Sequence, residues 1–278
     1  TVTLRNPLGE ERSAMRTSLL PGLLEALRRA RRHGERSVRL YTVGARFLAP
    51  VRSAEAAPPA RPRLKGDVNA LVEERPALAA VLAGLRPAYL ERRELDVYDA
   101  KGLAVELVER ITGHPAQVRS ASAEAAAGHL HPRGAAEVRV AGVLVGTFGP
   151  LHPDVVDALD LDDGALVVEL DVPALEAVEP RVPTYRAVPR LPAVARDISL
   201  EVSERLPAGS VQQAIADAAG ELCESVELLD VFTGGKIAAG SRSLTFRVVY
   251  RDPRAATAPD RARTLTDEEV DACQARVA

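Results

Sequence analysis

Apolar positions recur along this chain with two different periods. Between residues 13 and 33, Leu20, Leu23, Leu24 and Leu27 fall at i, i+3, i+4 and i+7, the stripe of a helix that buries one side. Pro21 suits the first turn of that helix, and Arg28, Arg29, Arg31 and Arg32 load its C-terminal end, where cations favour the helix dipole. Arg39–Phe47 (RLYTVGARF) reads as a strand pair or a bent strand around Gly44. A Pro/Ala loop over 49–62 precedes an Ala/Leu-rich helix predicted near 68–85 and a second helix near 102–112. Ala136–Phe148 predicts a hairpin turning at Ala141-Gly142, and 165–172 a further strand. The first part of the chain therefore mixes helices with sheet of antiparallel character.

Pro180, Pro183, Pro189 and Pro192 fall close together and mark a linker. Beyond it the alternation is cleaner. Ile198, Leu200 and Val202 alternate with Asp197, Ser199 and Glu201, as in a half-buried strand. Ser210 opens a capping-box pattern for a helix with Val211, Ile215, Ala218 and Leu222 on one face. Residues 225–232 form a second strand, and a glycine-marked loop runs over 233–240. In a third strand Leu244, Phe246, Val248 and Tyr250 alternate with Thr245, Arg247 and Val249. Thr266-Asp267-Glu268-Glu269 caps a last helix carrying Val270, Cys273 and Val277. The order β-α-β-β-α is that of a ferredoxin-like unit whose sixth element, a strand, is expected to be missing because the chain stops at Ala278.

Composition bounds the class. A length of 278 residues argues for roughly two domains of about 150 residues each. Hydrophobic residues make up 46% and charged residues 27%, which predicts folded rather than disordered chain. With 3% aromatics and no Trp, the cores must be built from Leu, Val and Ala. No apolar run approaches the ~18 residues of a membrane span, and the opening residues form no signal peptide. They include no initiator Met either, so a segment of a longer chain is expected. Two cysteines cannot make a disulfide framework, which points to the cytosol; Cys223 and Cys273 read as small buried hydrophobes on apolar helix faces. A net charge of -3 gives a nucleic-acid partner no bulk support, so any such contact needs a local basic face.

Candidate chemistry is sparse. His129, His131, His152 and Glu137 could gather a zinc ion, but their spacing fits no common zinc pattern, and loop histidines shaping turns beside Pro132 and Pro153 are the simpler reading. Gly234-Gly235-Lys236 fails as a phosphate loop because Asp230 and Ile237 stand where Gly and Ser or Thr are required. Cys223 has no activating setting. Asp96, Asp99, Glu106 and Glu109 read as a solvated helix face, and Leu64-Lys65-Gly66-Asp67 echoes Ala100-Lys101-Gly102-Leu103 without a longer repeat. In the last unit, alternation leaves one sheet face open, edged by arginines, and an RNA loop could lay phosphates on these and bases on Phe232 or Tyr250. Solvated arginines and aromatic core residues explain the same pattern, and residues 184–278 carry 12 Lys+Arg against 14 Asp+Glu.

Several stretches, taken in order, resemble the bacterial phenylalanyl-tRNA synthetase β-subunit family. NPLGEERSAMRTSLLPGLLEALRR (6–29) is similar to the start of its catalytic-like module, and RLYTVGARF (39–47) to an R-L-F-E-I-G-R-x-F strand. LDVYDAKG (95–102), HLHPRGAAEV (129–138) and GTFGPLHPDV (146–155) resemble D-F-F-D-x-K-G, x-L-H-P-G-R-x-A-E-I and G-x-x-G-x-L-H-P-E-V. PRLPAVARDISLEV (189–202), LLDVFTGGKIAAGSRSLTFRVVY (228–250) and RTLTDEEV (263–270) resemble its ferredoxin-fold anticodon-binding domain. Pro132-Arg133-Gly134 replaces Pro-Gly-Arg, Tyr41-Thr42-Val43 replaces Phe-Glu-Ile, and 255–262 is an insertion.

The resemblance implies an α+β fold: a degenerate class II synthetase-like antiparallel sheet module over 1–182, then a ferredoxin-like β-α-β-β-α(-β) domain over 183–278. It implies a β-subunit portion of an α2β2 heterotetramer that attaches phenylalanine to its tRNA with ATP and Mg²⁺, the active site lying on the α subunit. Arg39 and Arg46 lie in a strand of the general type that clamps ATP phosphates, but Pro150, His152 and Pro153 occupy the place of a glycine-rich strand, so no catalytic or metal residue is assigned. The expected subunit interface uses Leu20, Leu23, Leu24 and Leu27; the expected tRNA face uses Arg196, Ser199, Arg242, Ser243 and Arg247. The family's editing and metal residues lie outside this segment. Rival readings are a stand-alone RNA-binding or assembly module and a one-chain organellar-type synthetase.

Overall fold

The structure, a computed structural model, describes residues 2–4, 6–10, 13–48, 72–87, 93–122, 126–161, 163–185 and 188–277. The chain divides into two compact units, Thr1–Pro183 and Thr184–Ala278.

The first unit is built on six antiparallel strands: β1 (Val38–Leu48), β2 (Glu73–Ala83), β3 (Gln117–Ser120), β4 (Ala136–Val140), β5 (Val143–Pro150) and β6 (Leu166–Asp171). Their order across the sheet is β1-β2-β6-β5-β4-β3. Helix α1 (Leu20–Arg32) covers one face with Leu20, Leu23, Leu24 and Leu27, packed with Val38, Ala77, Ala79 and Val81. Helix α2 (Val97–Thr112) and the short α4 (Val172–Glu176) cover the other, where Ala100, Ala104 and Val108 meet Val138, Phe148 and Val168. The six-residue α3 (Pro153–Ala158) follows β5. The hairpin turn at Ala141 and Gly142 needs left-handed backbone at both positions, with φ of 48° and 83°.

Three expectations change here. The segment read as a helix near 68–85 is strand β2 from Glu73 to Ala83; its earlier part lies outside the described residues, as do the 49–62 loop and the 64–67 near-repeat. β2 is central and covered on both faces, so it shows an unbroken Ala/Leu run rather than alternation, and such a run imitates a helix. β1 is one continuous strand, not a pair. The second helix starts at Val97 rather than 102, because Asp96 and Asp99 form its capping box.

The second unit has three antiparallel strands, β7 (Val194–Ser203), β8 (Cys223–Phe232) and β9 (Ser241–Tyr250), in the order β7-β9-β8. Helices α5 (Ala208–Ala219) and α7 (Asp267–Val277) share a core with one face, made of Val211, Ile215, Leu244, Phe246, Val248, Tyr250, Val270 and Cys273. A four-residue helix α6 (Arg254–Thr257) lies in the β9–α7 connection. The β-α-β-β-α order is the one the alternation predicts. α5, however, starts at Ala208 behind Pro207 with no side-chain cap, and Ser210 sits inside the helix rather than capping it. α7 does carry its cap: the Thr266 amide donates to Glu269 Oε2 at 3.1 Å, and the Glu269 amide donates back to Thr266 Oγ1 at 3.4 Å. Cys223 opens a strand instead of lying on a helix; its thiol is half-buried, and burial first of all pushes its pKa up.

Candidate functional site

The first unit's sheet carries a polar strip on the face that α1 covers elsewhere. Register sets it: Arg46 stands across from Arg75, Ala77 across from Asp171, and Glu169 across from Thr147, itself paired with Glu137. Arg46, Arg75, Thr147, Glu169 and Asp171, with Ala127, border a cleft of about 390 Å³. The cleft is charged but internally closed. Arg46 Nη2 donates to Asp171 Oδ2 at 2.6 Å, and Arg75 donates to the two Asp171 oxygens at 2.7 and 3.1 Å. Burial works against the Asp171 carboxylate, but hydrogen bonds from Arg75 and the Ala174 amide hold its pKa below the ordinary value. Glu169 is alike: desolvation pushes it up, while His129, 3.1 Å away, Ser18 Oγ at 2.7 Å and the charge of Arg46 bring it down. Guanidinium groups fixed on carboxylates have given up the forks that would clamp a phosphate. Arg39 donates to the Leu85 carbonyl at 2.9 Å.

The motif histidines build backbone. Leu130 and Leu151 form a bridge, the His131 amide donates to the Pro150 carbonyl, and the His152 amide donates to the His129 carbonyl, both at 2.8 Å. His131 Nδ1 accepts from the Arg133 amide and His152 Nδ1 from the Asp154 amide, both at 3.2 Å, so each imidazole closes its own turn. Gly146 is needed because a Cβ there would stand 2.4 Å from the Glu169 carbonyl oxygen of the adjoining strand. Glu137 pairs with Arg139 at 2.9 Å. Among the described residues, no group of three or more His, Cys, Asp or Glu side chains is disposed to hold a metal ion. Asp96 and Asp99, read as a solvated face, instead cap α2 and hold Arg86 at 2.7 and 2.9 Å.

The leucine stripe expected at a subunit interface faces inward in this unit. Leu20, Leu23, Leu24 and Leu27 are all buried against the unit's own sheet, which uses up the face that the 3.6 period advertises. On the edge strand β1, Tyr41 is 76% and Val43 61% accessible. Tyr41 stands across from Ala80 and Val43 across from Leu78, on the sheet face opposite α1. Strand alternation is the signal that could have found them.

In the second unit, register sorts the five expected tRNA residues. Three cross-strand rows form the open face: Asp197, Arg247 and Glu227; Ser199, Thr245 and Asp230; Glu201, Ser243 and Phe232. Ser199, Ser243 and Arg247 therefore share it, with Ser199 Oγ and Thr245 Oγ1 2.9 Å apart. Arg196 and Arg242 do not; they pair with Val248 and Val202, on the helix-covered face. Counting parity from Ile198 would have separated them. Arg196 donates to Asp267 at 3.0 Å and to Asp271 at 3.4 Å on α7. Arg247 makes two hydrogen bonds to Asp197, at 2.8 and 2.9 Å, which raise its pKa and lower that of Asp197. Arg242 donates to the Leu206 carbonyl at 2.8 Å. Tyr250 is core, its hydroxyl donating to Gln274 at 2.9 Å, so it offers no platform for a base. Phe232 does, at 53% exposure.

Comparison with known proteins covers both units. The family described as "Phenylalanyl tRNA synthetase beta chain CLM domain" matches residues 1–172, and "Ferredoxin-fold anticodon binding domain" matches residues 189–278. A Moorella thermoacetica protein named "Phenylalanine--tRNA ligase beta subunit" is 36% identical over 281 residues, covering 100% of this chain and 31% of its own length. Its namesake from Geobacillus kaustophilus is 37% identical over 279 residues, covering 99% and 31%. The chain thus spans 31% of the length of these curated relatives. A solved pyrrolysyl tRNA synthetase, PylSc of Desulfitobacterium hafniense, aligns with 59% of this chain and 49% of that one at 10% identity, with a TM-score of 0.37.

Proposed function

The chain belongs to the phenylalanyl-tRNA synthetase beta-chain family, and we propose that it is a non-catalytic part of that subunit, serving ATP-dependent attachment of phenylalanine to its tRNA from outside the active site. On this reading 1–182 is a degenerate class II module that packs against the α subunit of a cytoplasmic α2β2 enzyme. Residues 183–278 bind the anticodon stem-loop of phenylalanine tRNA. ATP and Mg²⁺ belong to the α subunit.

One observation carries the non-catalytic assignment. Arg46 and Arg75, the two arginines set side by side over the sheet cleft, are both bound to Asp171. Activation of an amino acid by ATP needs cations free to take up charge on the phosphates as the transition state forms. These two already have their anion, so the residues present do not fit a nucleotide. The exposed apolar edge around Tyr41 and Val43 supports packing on the α subunit, because burial there removes from water the apolar surface this sheet face leaves uncovered.

Two measurements test the reading. The purified chain should give no ATP–pyrophosphate exchange with phenylalanine, and should co-elute with the α subunit in size-exclusion chromatography. Turnover by the chain alone makes it a synthetase in its own right, and elution apart from the α subunit makes it a free module; either result removes the proposal.

A further inference from the structure

The second unit pairs five of its arginines with carboxylates and gathers three other cations at one rim. Five arginines are paired where they stand: Arg196, Arg247, Arg251, Arg254 and Arg263 meet Asp267, Asp197, Glu224, Asp252 and Glu269. On the open face Arg247 is outnumbered by Asp197, Glu201, Glu227 and Asp230. That surface repels a phosphate chain.

The rim where β7 and β8 end and β9 begins is different. Arg205 follows β7, Lys236 lies in the β8–β9 loop, and Arg242 is the second residue of β9. The Glu204 amide donates to the Gly240 carbonyl at 2.9 Å, and Arg242 reaches the Leu206 carbonyl at 2.8 Å, so both loops lie together. Among the described residues none of these three cations meets a carboxylate, and the Nε of Arg242 is buried without a partner. Two carboxylates share the rim: Glu204, and Glu201, which accepts from the Ala238 amide at 3.3 Å. The N-terminus of α5 opens here too, with no side-chain cap and no acidic residue in its first turn. Phe232 stands beside it, across from Ser243, its ring 3.5 Å from the position a Cβ on Gly235 would take.

Resting on the anticodon-binding reading, we propose that the RNA loop is gripped at this rim: Arg205, Lys236 and Arg242 hold its phosphates, and one unstacked base lies on Phe232. The open sheet face is not the phosphate surface. Free cations beside an exposed aromatic ring are what a single-stranded loop requires, because its backbone supplies charge and its bases supply flat faces.

The test is a fluorescence titration of the chain with phenylalanine tRNA and with its anticodon stem-loop, over a range of salt. Arg205→Gln/Lys236→Gln should weaken binding about tenfold or more at low salt, and should flatten the log–log salt slope by about 0.7 for each lost contact with single-stranded RNA. Phe232→Ala should weaken binding about tenfold with the salt slope kept. Ser199→Ala/Arg247→Gln should bind as wild type. Circular dichroism of each variant separates lost contact from lost fold, and the exposed Arg205 and Lys236 keep the test independent of Arg242. If the wild-type chain binds neither RNA, the anticodon-binding reading falls and this inference with it. If it binds, and the open-face variant loses affinity while the rim variant does not, only the rim assignment is overturned.

Discussion

Cations are held in opposite ways in the two units. On the first unit's sheet, Arg46 and Arg75 converge on Asp171 at 2.6 and 2.7 Å, and positive and negative charge close on each other. At the rim of the second unit, Arg205, Lys236 and Arg242 stand beside two loops, and among the described residues none of them forms a salt bridge although Glu201 and Glu204 share the rim. The first arrangement balances charge inside the fold and leaves little field for an anion arriving from outside. The second leaves charge at the solvent boundary, where a hydrated cation destabilises the fold very little. A cation without an intrachain carboxylate is therefore a better sign of an external anion than a large number of arginines.

The largest effects belong to the closed unit. Leu27 is fully buried between α1 and the sheet. Leu27→Ala should lower the unfolding free energy by roughly 2–5 kcal/mol, read from the urea midpoint, because it leaves a cavity the neighbours fill only in part. Below that midpoint the variant should still co-elute with the α subunit. A variant as stable as wild type that loses the partner would return the leucine stripe to the interface. Asp171→Ala comes next, at about 3 kcal/mol by thermal melting, since two partly buried guanidinium groups lose their counter-ion and α4 loses its cap. An unchanged melting temperature would mean that the closure is incidental to the fold.

The same contrast explains what the sequence made legible. The second unit's sheet is covered on one face, so β7 and β9 alternate openly, and Leu244, Phe246, Val248 and Tyr250 can be read as core by parity alone. β2 is covered on both faces, and Leu78, Ala79, Ala80 and Val81 carry no polar interruption to give the strand away. The α1 stripe was readable as buried, but a stripe does not say whether it meets its own sheet or another chain. Ion pairing was not legible at all. Arg46 and Arg75 reach Asp171 across 125 and 96 residues of sequence, and only strand register brings them together.

Proton linkage gives smaller effects, one at each end of the pH scale, both in the second unit. Hydrogen bonds from Arg263 first, then from the Thr266 amide, hold the Glu269 carboxyl down from its ordinary 4.5 to about 2. A carboxyl whose folded pKa is depressed stabilises above its unfolded value and stops doing so as pH falls through the folded one. The α7 cap should therefore weaken between pH 4.5 and 2, seen as acid loss of helical circular dichroism that Glu269→Gln no longer shows. Tyr250 runs the other way: burial first of all pushes its hydroxyl from 10.0 up to about 12. Its protonated form is the one the core holds, so its contribution is complete below pH 10 and is lost as pH rises through about 12. The last phase of tyrosine ionisation in ultraviolet absorbance should vanish in Tyr250→Phe. Persistence of that phase would assign it to another tyrosine.

The smallest expected change in stability is also the one that decides most about the open unit. Arg205→Gln/Lys236→Gln removes two exposed cations that bind nothing within the described chain, so the urea midpoint should stay within about 0.5 kcal/mol of wild type. RNA affinity should nevertheless fall, which is the reverse of the pattern at Asp171, where stability moves and no RNA contact is at stake. If the rim double variant were instead destabilised as strongly as Asp171→Ala, the two cations would be structural. The difference between the units would then be one of geometry alone, with charge at the rim serving the fold as it does in the sheet cleft.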